Sequence, residues 1–127
     1  TLENFANGQA SCDALGRGYL FQAPRSLDEA KLMQHSAKLA GVGGEFWING
    51  NRIEQFGTWS WNQRFVQTPV WASNEPNGGT GSNCAVLHNN VDATWADESC
   101  SSSTARAYLC RNGNNWQVTL PFFLIIF

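Results

Sequence analysis

The stretch from Asn74 to Cys100 constrains the fold of this chain more than any other part. It contains the tripeptide Glu75-Pro76-Asn77, a glycine-rich loop, Cys84 and the trio Trp95-Ala96-Asp97. Proline stiffens the backbone between a carboxylate and an amide, so the oxygens of Glu75 and Asn77 keep a limited separation, as a hard-cation site needs. Asp97 is a third candidate oxygen ligand. It can join the tripeptide only if the chain between Cys84 and Cys100 folds back, as a disulfide across that segment would enforce.

Four cysteines indicate the compartment in which the chain folds: Cys12, Cys84, Cys100 and Cys110. No two of them have the C-x-x-C spacing of zinc or redox motifs, so two disulfides in a secreted protein are the best interpretation. The sequence alone allows three connectivities. The chain opens at Thr1 on a polar segment and not on a signal peptide, so we interpret this start as mature or truncated.

Composition excludes several classes of protein. The 127 residues suffice for one domain with one core. Only 14% of the residues are charged and the formal net charge is −2, so the basic surface of a nucleic-acid-binding protein is missing. His35 and His88 have no Cys or second His at ligand spacing, and no Ser/His/Asp or Cys/His arrangement is present. We therefore expect a binding domain and not an enzyme.

Two helices are predicted in the N-terminal third of the chain. Apolar residues recur near helical spacing over residues 2–15, and Gly16 is a suitable terminator. Ser26 and Glu29 have the spacing of a capping box, which predicts a second helix over residues 27–40.

Short strands and loops are predicted for the rest of the chain. Apolar runs and period-two alternation indicate strands at residues 19–21, 46–48, 58–61, 84–87 and 107–110. Residues 62–83 are rich in Pro and Gly and predict a long loop that is packed by its own aromatic residues. Residues 92–103 are predicted to be a turn-rich excursion between two strands.

The order of these motifs resembles that of a C-type lectin-like domain. The shared features, which cover residues 1–111, are the four cysteines, the capped second helix, Trp47-Ile48-Asn49-Gly50, Trp59-Ser60-Trp61, Trp71, the tripeptide and Trp95-Ala96-Asp97. The resemblance implies an α+β fold with two helices, small antiparallel sheets and a long ligand-binding loop. It also implies the disulfides Cys12–Cys110 and Cys84–Cys100.

The same resemblance implies a calcium site that binds sugar. In this family Ca²⁺ coordinates two neighbouring hydroxyls of a sugar, and the Glu-Pro-Asn form is associated with mannose-type ligands. Carried over to this chain, Glu75 and Asn77 are two metal ligands, the peptide bond before Pro76 is cis, and Asp97 supplies a further carboxylate. Because Ca²⁺ takes about 6–8 oxygens, such a site leaves positions for a diol.

Two positions depart from the family pattern. Ser82 stands where sugar-binding members have Glu, and Ala96 stands where they have Asn. The carboxylate count falls from three to two, which leaves two alternatives for the site. Either it binds Ca²⁺ weakly, with a Kd of about 10⁻⁴ to 10⁻³ M and with water and Asn83 as further ligands, or it is empty. Asn83 is also a candidate sugar contact. The leading interpretation is a secreted module for mannose-type glycans, and the alternative is a calcium-independent lectin-like domain that binds a protein or another ligand.

The two ends of the chain differ from the family pattern. The usual N-terminal strand is missing, and residues 112–127 form an apolar tail after the predicted domain of residues 1–111. The apolar run from Leu120 to Phe127 is too short to span a bilayer. We consider three interpretations of the tail: a replacement edge strand, the remnant of a lipid anchor or an unusual transcript end. The oligomeric state and the natural ligand are left open by the sequence.

Overall fold

The computed structural model describes residues 5–39, 45–53, 58–62, 71–77, 81–88, 94–102, 106–119 and 124–126. A short 3₁₀ helix (Phe5–Asn7) leads into α1 (Gly8–Asp13), and α2 spans Leu27–Leu39. The strands within these ranges are β1 (Leu20–Phe21), β2 (Phe46–Ile53), β3 (Thr58–Trp61), β4 (Cys84–Leu87), β5 (Trp95–Glu98), β6 (Ala107–Asn112), β7 (Asn115–Thr119) and β8 (Leu124–Ile126).

Helix α2 begins where the capping box predicts. The Ser26 hydroxyl accepts a hydrogen bond from the Glu29 backbone N–H at 3.1 Å, which satisfies a group that the first helical turn leaves without a partner. The Glu29 carboxylate accepts from the Arg25 backbone N–H at 2.7 Å, one residue before the expected capping position. Burial opposes ionisation of Glu29, but its hydrogen bonds with Arg25 outweigh this effect and lower its pKa.

Helix α1 is shorter than predicted. Residues 2–4 of the predicted helix lie outside the described residues, and residues 5–7 form the 3₁₀ helix instead. α1 follows Asn7, which makes no side-chain capping bond, and ends at Asp13, two residues before the predicted end.

The strands form a sheet in the order β5-β4-β2-β6-β7-β8, with β1 paired to β6 and β3 paired to β2. The pairings are antiparallel except that of β2 with β6, which is parallel. Alternation along β2 places Phe46 and Ile48 in one core cluster with α2, and Trp47 in a second cluster with Cys12 of α1. The sheet therefore has an apolar cluster on each face, whereas the sequence predicted a single core, because residues on both faces of its central strands are buried.

Two disulfides connect distant parts of this framework. Cys12 in α1 is bonded to Cys110 in β6, and Cys84 in β4 is bonded to Cys100 just after β5. These are the pairings that the family resemblance implies. The second bond and the β4–β5 pairing together bring the end of β5 back beside the start of β4.

Residues 92–103 were predicted to be a turn-rich excursion, and this prediction is wrong for the middle of the segment. Residues 95–98 form β5, paired with β4 in a register that sets Ala85 opposite Asp97. Four residues are too few to show a period, and the strand is stabilised by a partner that is distant in sequence. β2 is likewise longer than predicted, because Asn49 and Gly50 continue it through an irregularity in its pairing with β4.

The apolar tail contributes strands to the same sheet. β7 pairs with β6 after a turn in which Gly113 has a φ of 61°, and β8 pairs with β7. Trp116 and Val118 of β7 are buried in the core cluster that includes α2. Of the three interpretations of the tail, this arrangement matches the replacement edge strand. In the described ranges, no helix is long and apolar enough to cross a membrane.

Candidate functional site

The tripeptide is carried by a loop that is anchored on β5. Trp71 forms an isolated bridge with Trp95, and the Ala72 backbone N–H donates to the Trp95 carbonyl at 2.8 Å. A turn follows, in which the Glu75 N–H donates to the Ala72 carbonyl at 3.0 Å and Asn74 has a φ of 66°. This turn directs the tripeptide back toward β5. The peptide bond between Glu75 and Pro76 is cis, as the family resemblance implies.

Three predicted ligands meet at this point. The Asn77 backbone N–H donates to Asp97 Oδ1 at 3.0 Å, and the Asp97 backbone N–H donates to Glu75 Oε1 at 3.3 Å. The tripeptide and β5 are therefore linked in both directions. Glu75, Asn77 and Asp97 come together although twenty or more residues separate Asp97 from the other two.

The electrostatics of the site favour a cation. Burial raises the pKa of Glu75, and the adjacent Asp97 carboxylate raises it further through a side-chain hydrogen bond and its like charge. Two carboxylates held this close repel each other when both are ionised. Carboxylate and amide oxygens are ligands that suit Ca²⁺, so the chemistry of the residues present fits this ion.

The number of charged ligands is low for a metal centre. Among the residues that the structure describes, no group of three or more His, Cys, Asp or Glu side chains is placed to hold a metal ion. A calcium ion at the acidic pair of Glu75 and Asp97 would therefore need further oxygens from uncharged groups such as the Asn77 amide, backbone carbonyls and water.

Asn83 lies in a different environment from the other predicted ligands. Its carbonyl accepts from the Arg52 backbone N–H at 2.7 Å, and its side-chain oxygen accepts from Arg52 Nη1 at 3.4 Å. This side-chain oxygen faces a cation of the protein itself. Its neighbour Ser82 is partly exposed, while Ala96 is 6% exposed and belongs to the core cluster around Trp47.

Aromatic residues support the loop next to the acidic pair. Trp95 and Asp97 lie on the same face of β5, because side chains alternate along a strand. Trp61 packs on Trp95 at 4.9 Å between ring centroids, and Trp71 packs on Trp59 at 4.9 Å and on Trp61 at 5.4 Å. This cluster joins the loop to β3 and β5, so it positions the tripeptide.

The sequence did not reveal an ionic cluster on the opposite face of β5. Arg106 is 8% exposed, and its Nη2 lies 2.9 Å from Glu98 Oε2 and 3.2 Å from Glu45 Oε1. Its guanidinium also stacks over Trp47 at 5.1 Å, and His88 Nε2 lies 3.3 Å from Glu45 Oε2. Arg106 thus holds the strand that carries Asp97. No local pattern indicates it, because Glu45 is 61 residues away.

Comparison with known proteins identifies the class. The family model for the lectin C-type domain matches residues 1–112, and the chain belongs to this family. The prediction of a C-type lectin-like fold is confirmed by this match and by solved structures of the same fold.

The individual relatives share about one-third of their residues with this chain over the matched regions. C-type lectin domain family 3 member A from Bos taurus is 31% identical over 105 residues, which cover 80% of this chain and 52% of the relative. C-type lectin lectoxin-Thr1 from Thrasops jacksonii is 36% identical over 87 residues, covering 66% of this chain and 54% of the relative. The chain spans about half the length of these curated relatives.

Two solved structures of other proteins have a fold similar to that of this chain. A calcium-independent type II antifreeze protein is 25% identical, with a TM-score of 0.67, and the match covers 85% of this chain and 77% of that one. Human lithostathine superimposes with a TM-score of 0.73 at 16% identity, over 88% of this chain and 86% of that one.

Proposed function

We propose that this chain is an extracellular carbohydrate-binding module that recognises mannose-type sugars through a weakly held calcium ion. The observation that carries the proposal is the meeting of Glu75, Asn77 and Asp97, linked by the two hydrogen bonds between the tripeptide and β5. When bound, the ion supplies coordination positions for two neighbouring sugar hydroxyls.

The side chains of the site have complementary roles in this proposal. The carboxylates of Glu75 and Asp97 accept hydrogen bonds from sugar hydroxyls, and the Asn77 amide N–H groups donate to a hydroxyl oxygen. Mannose has a pair of vicinal equatorial hydroxyls, and both of their oxygens can reach the bound ion at the same time. Asn83 is assigned a sugar contact and not a metal contact, because its side-chain oxygen accepts from Arg52.

One feature supports an extracellular location and another supports access of a ligand to the site. The chain has two disulfides, which persist in oxidising compartments. The exposed position of Asn77 and the partial exposure of Glu75 leave the tripeptide accessible to a ligand.

A second candidate function is calcium-independent binding of a protein or another ligand. It is favoured by Ser82, which supplies no carboxylate, and by the Arg52 guanidinium at Asn83. One of the similar solved structures is that of a calcium-independent type II antifreeze protein.

Calcium removal distinguishes the two candidates. The chain is passed over immobilised mannan with calcium and then with chelator, and calcium binding is measured by calorimetry. Retention that is lost with chelator supports the proposal. Retention that is unchanged by chelator, or no retention on mannan, contradicts it, and binding that persists on another ligand then favours the second candidate.

Paired variants identify the residues that are responsible. Glu75→Gln removes a proposed ligand charge and should weaken calcium binding about tenfold or more, since affinity follows ligand charge. Asp28→Asn is the matched control, because Asp28 is an exposed carboxylate of α2. Equal loss of calcium binding in both variants would contradict the assignment of the site.

A further inference from the structure

The strand β8 lies at one end of the sheet. It pairs with β7 through Leu124 opposite Thr119, Ile125 opposite Val118 and Ile126 opposite Gln117. Within the described parts of the chain, no other strand pairs with its outer side. An edge strand of this kind presents backbone N–H and C=O groups that another strand can pair with.

The sequence around this edge lacks the features that keep sheet edges apart. No charged residue occurs from Gln117 to Phe127, and residues 122–127 are only Phe, Leu and Ile. Edges of monomeric proteins are commonly blocked by Lys or by Pro within the strand. Here Pro121 lies before β8 and not within it. The strand consists of Leu124, Ile125 and Ile126, and isoleucine favours extended structure.

We propose that β8 pairs antiparallel with β8 of a second copy of this chain, so that the two sheets become continuous. A second copy fits for two reasons. An uncharged strand meets its own two-fold copy without opposed like charges, and an isologous contact of this kind closes at a dimer. The net charge of −2 also gives only weak repulsion between whole molecules.

The position of β8 determines what such a dimer does. β5, which carries Asp97, is the first strand of the order β5-β4-β2-β6-β7-β8, and β8 is the last. Pairing through β8 therefore leaves both copies of the candidate site at the outer ends of the combined sheet. This consequence rests on the proposed function, and two-site attachment to a surface would follow from it. The pairing itself does not depend on sugar binding.

Sedimentation velocity of the full chain tests the pairing. As the protein concentration is raised from about 1 µM to about 1 mM, the main sedimenting species should change from the monomer to a dimer. The dimer has a mass of about 28 kDa, twice the 14.0 kDa of one chain. Amide hydrogen exchange in residues 124–126 should slow over the same range of concentration. A chain that stays monomeric, or a dimer that leaves exchange in these residues unchanged, overturns the proposal.

Two substitutions at the centre of β8 make the test specific. Ile125→Lys places like charges close to each other across the two-fold axis and should raise the concentration at the dimer midpoint about tenfold or more. Ile125→Thr is the matched control, because it keeps a β-branched, uncharged residue and should keep the dimer. Circular dichroism verifies that both variants are folded. Equal dimerisation of the two folded variants contradicts pairing through β8.

A lipid surface is the other occupant to exclude. Flotation with phosphatidylcholine vesicles should leave the dimeric chain in the unbound fraction. Flotation of a monomeric chain, lost in Ile125→Lys, would assign the apolar segment to lipid and overturn the proposed dimer. Since mannan binding is measured separately, failure of the dimer leaves the proposed function standing.

Discussion

Glu75 is the residue whose protonation couples the site to pH. The pKa of Glu75 is raised above the ordinary value of 4.5 by burial and by Asp97. A raised carboxyl pKa means that folding favours the protonated form. The stabilisation is fully present below pH 4.5 and is lost as the pH rises through the folded-state pKa. Without a cation, the ionised pair thus opposes folding at neutral pH.

The same shift predicts how calcium binding responds to acid. Calcium needs the ionised carboxylate, so its affinity should fall as the pH is lowered from 7 through the raised pKa of Glu75. Calorimetric titrations at several pH values measure this, with proton release on binding as a second readout. In Glu75→Gln the pH dependence in this range should be smaller. An affinity that is constant from pH 7 to pH 4 contradicts the prediction.

Ser82 is the residue at which the site should be easiest to strengthen. Ser82→Glu restores a third carboxylate and should tighten calcium binding by about tenfold, whereas the uncharged control Ser82→Gln should not. Combining it with Ala96→Asn follows the family pattern, but Ala96 lies in an apolar cluster, where an unpaired amide is costly. The single variant is therefore the cleaner test. Unchanged calcium affinity and mannan retention in Ser82→Glu would indicate that the tripeptide is a structural relic.

At the scale of elements, β5 is positioned from both of its faces. The tripeptide loop and the tryptophan cluster contact one face, and Arg106 holds Glu98 on the other. Since Arg106 is nearly buried and its two acidic partners are about one-third exposed, the pairs are only partly screened by solvent.

Arg106→Met should therefore lower the free energy of unfolding by about 1–3 kcal/mol, between the cost for a buried pair and that for an exposed pair. Arg25→Met is the matched control, because Arg25 pairs with Glu29 at 2.7 Å with its own side chain 54% exposed. This control should lose at most about 1 kcal/mol. Urea unfolding measures both variants. Equal losses of the free energy of unfolding in the two variants would show that the burial of Arg106 does not strengthen its ion pairs.

At the scale of the whole molecule, the two disulfides act over very different lengths of chain. Cys12–Cys110 closes a separation of 98 residues and joins the first helix to the central sheet, while Cys84–Cys100 closes 16 residues beside the site. Loop-closure entropy gives about 4.7 kcal/mol for a loop near 100 residues and about 3 kcal/mol for a loop near 15.

Replacing both cysteines of each pair by Ala should separate these effects. The Cys12/Cys110 double variant should lose more of the free energy of unfolding. The Cys84/Cys100 double variant should lose calcium binding in the folded state, because the return of β5 to β4 orients Asp97. Urea unfolding and calorimetry provide the two readouts. Calcium affinity that survives loss of the short bridge would mean that the β4–β5 pairing alone positions Asp97.

Much of the fold could be predicted because its signals are local or ordered along the chain. Ser26 and Glu29 mark the start of α2, alternation marks β3, and the order of cysteines and tryptophans indicates the family. The sequence also indicated that Glu75, Asn77 and Asp97 could come together, since the tripeptide and Asp97 belong to recognisable motifs.

Other features were decided only by tertiary structure. β5 is four residues long and exists through its pairing with β4, and the Arg106 cluster joins residues that are distant in sequence. The tail becomes β7 and β8 because β6 offers an edge to which β7 can hydrogen-bond and a core that buries Trp116. The sequence by itself determined the motifs and their order, since these depend on neighbouring residues. The tertiary structure decided the partners of each strand and charge, since hydrogen bonds and burial between distant segments leave no local period in the chain.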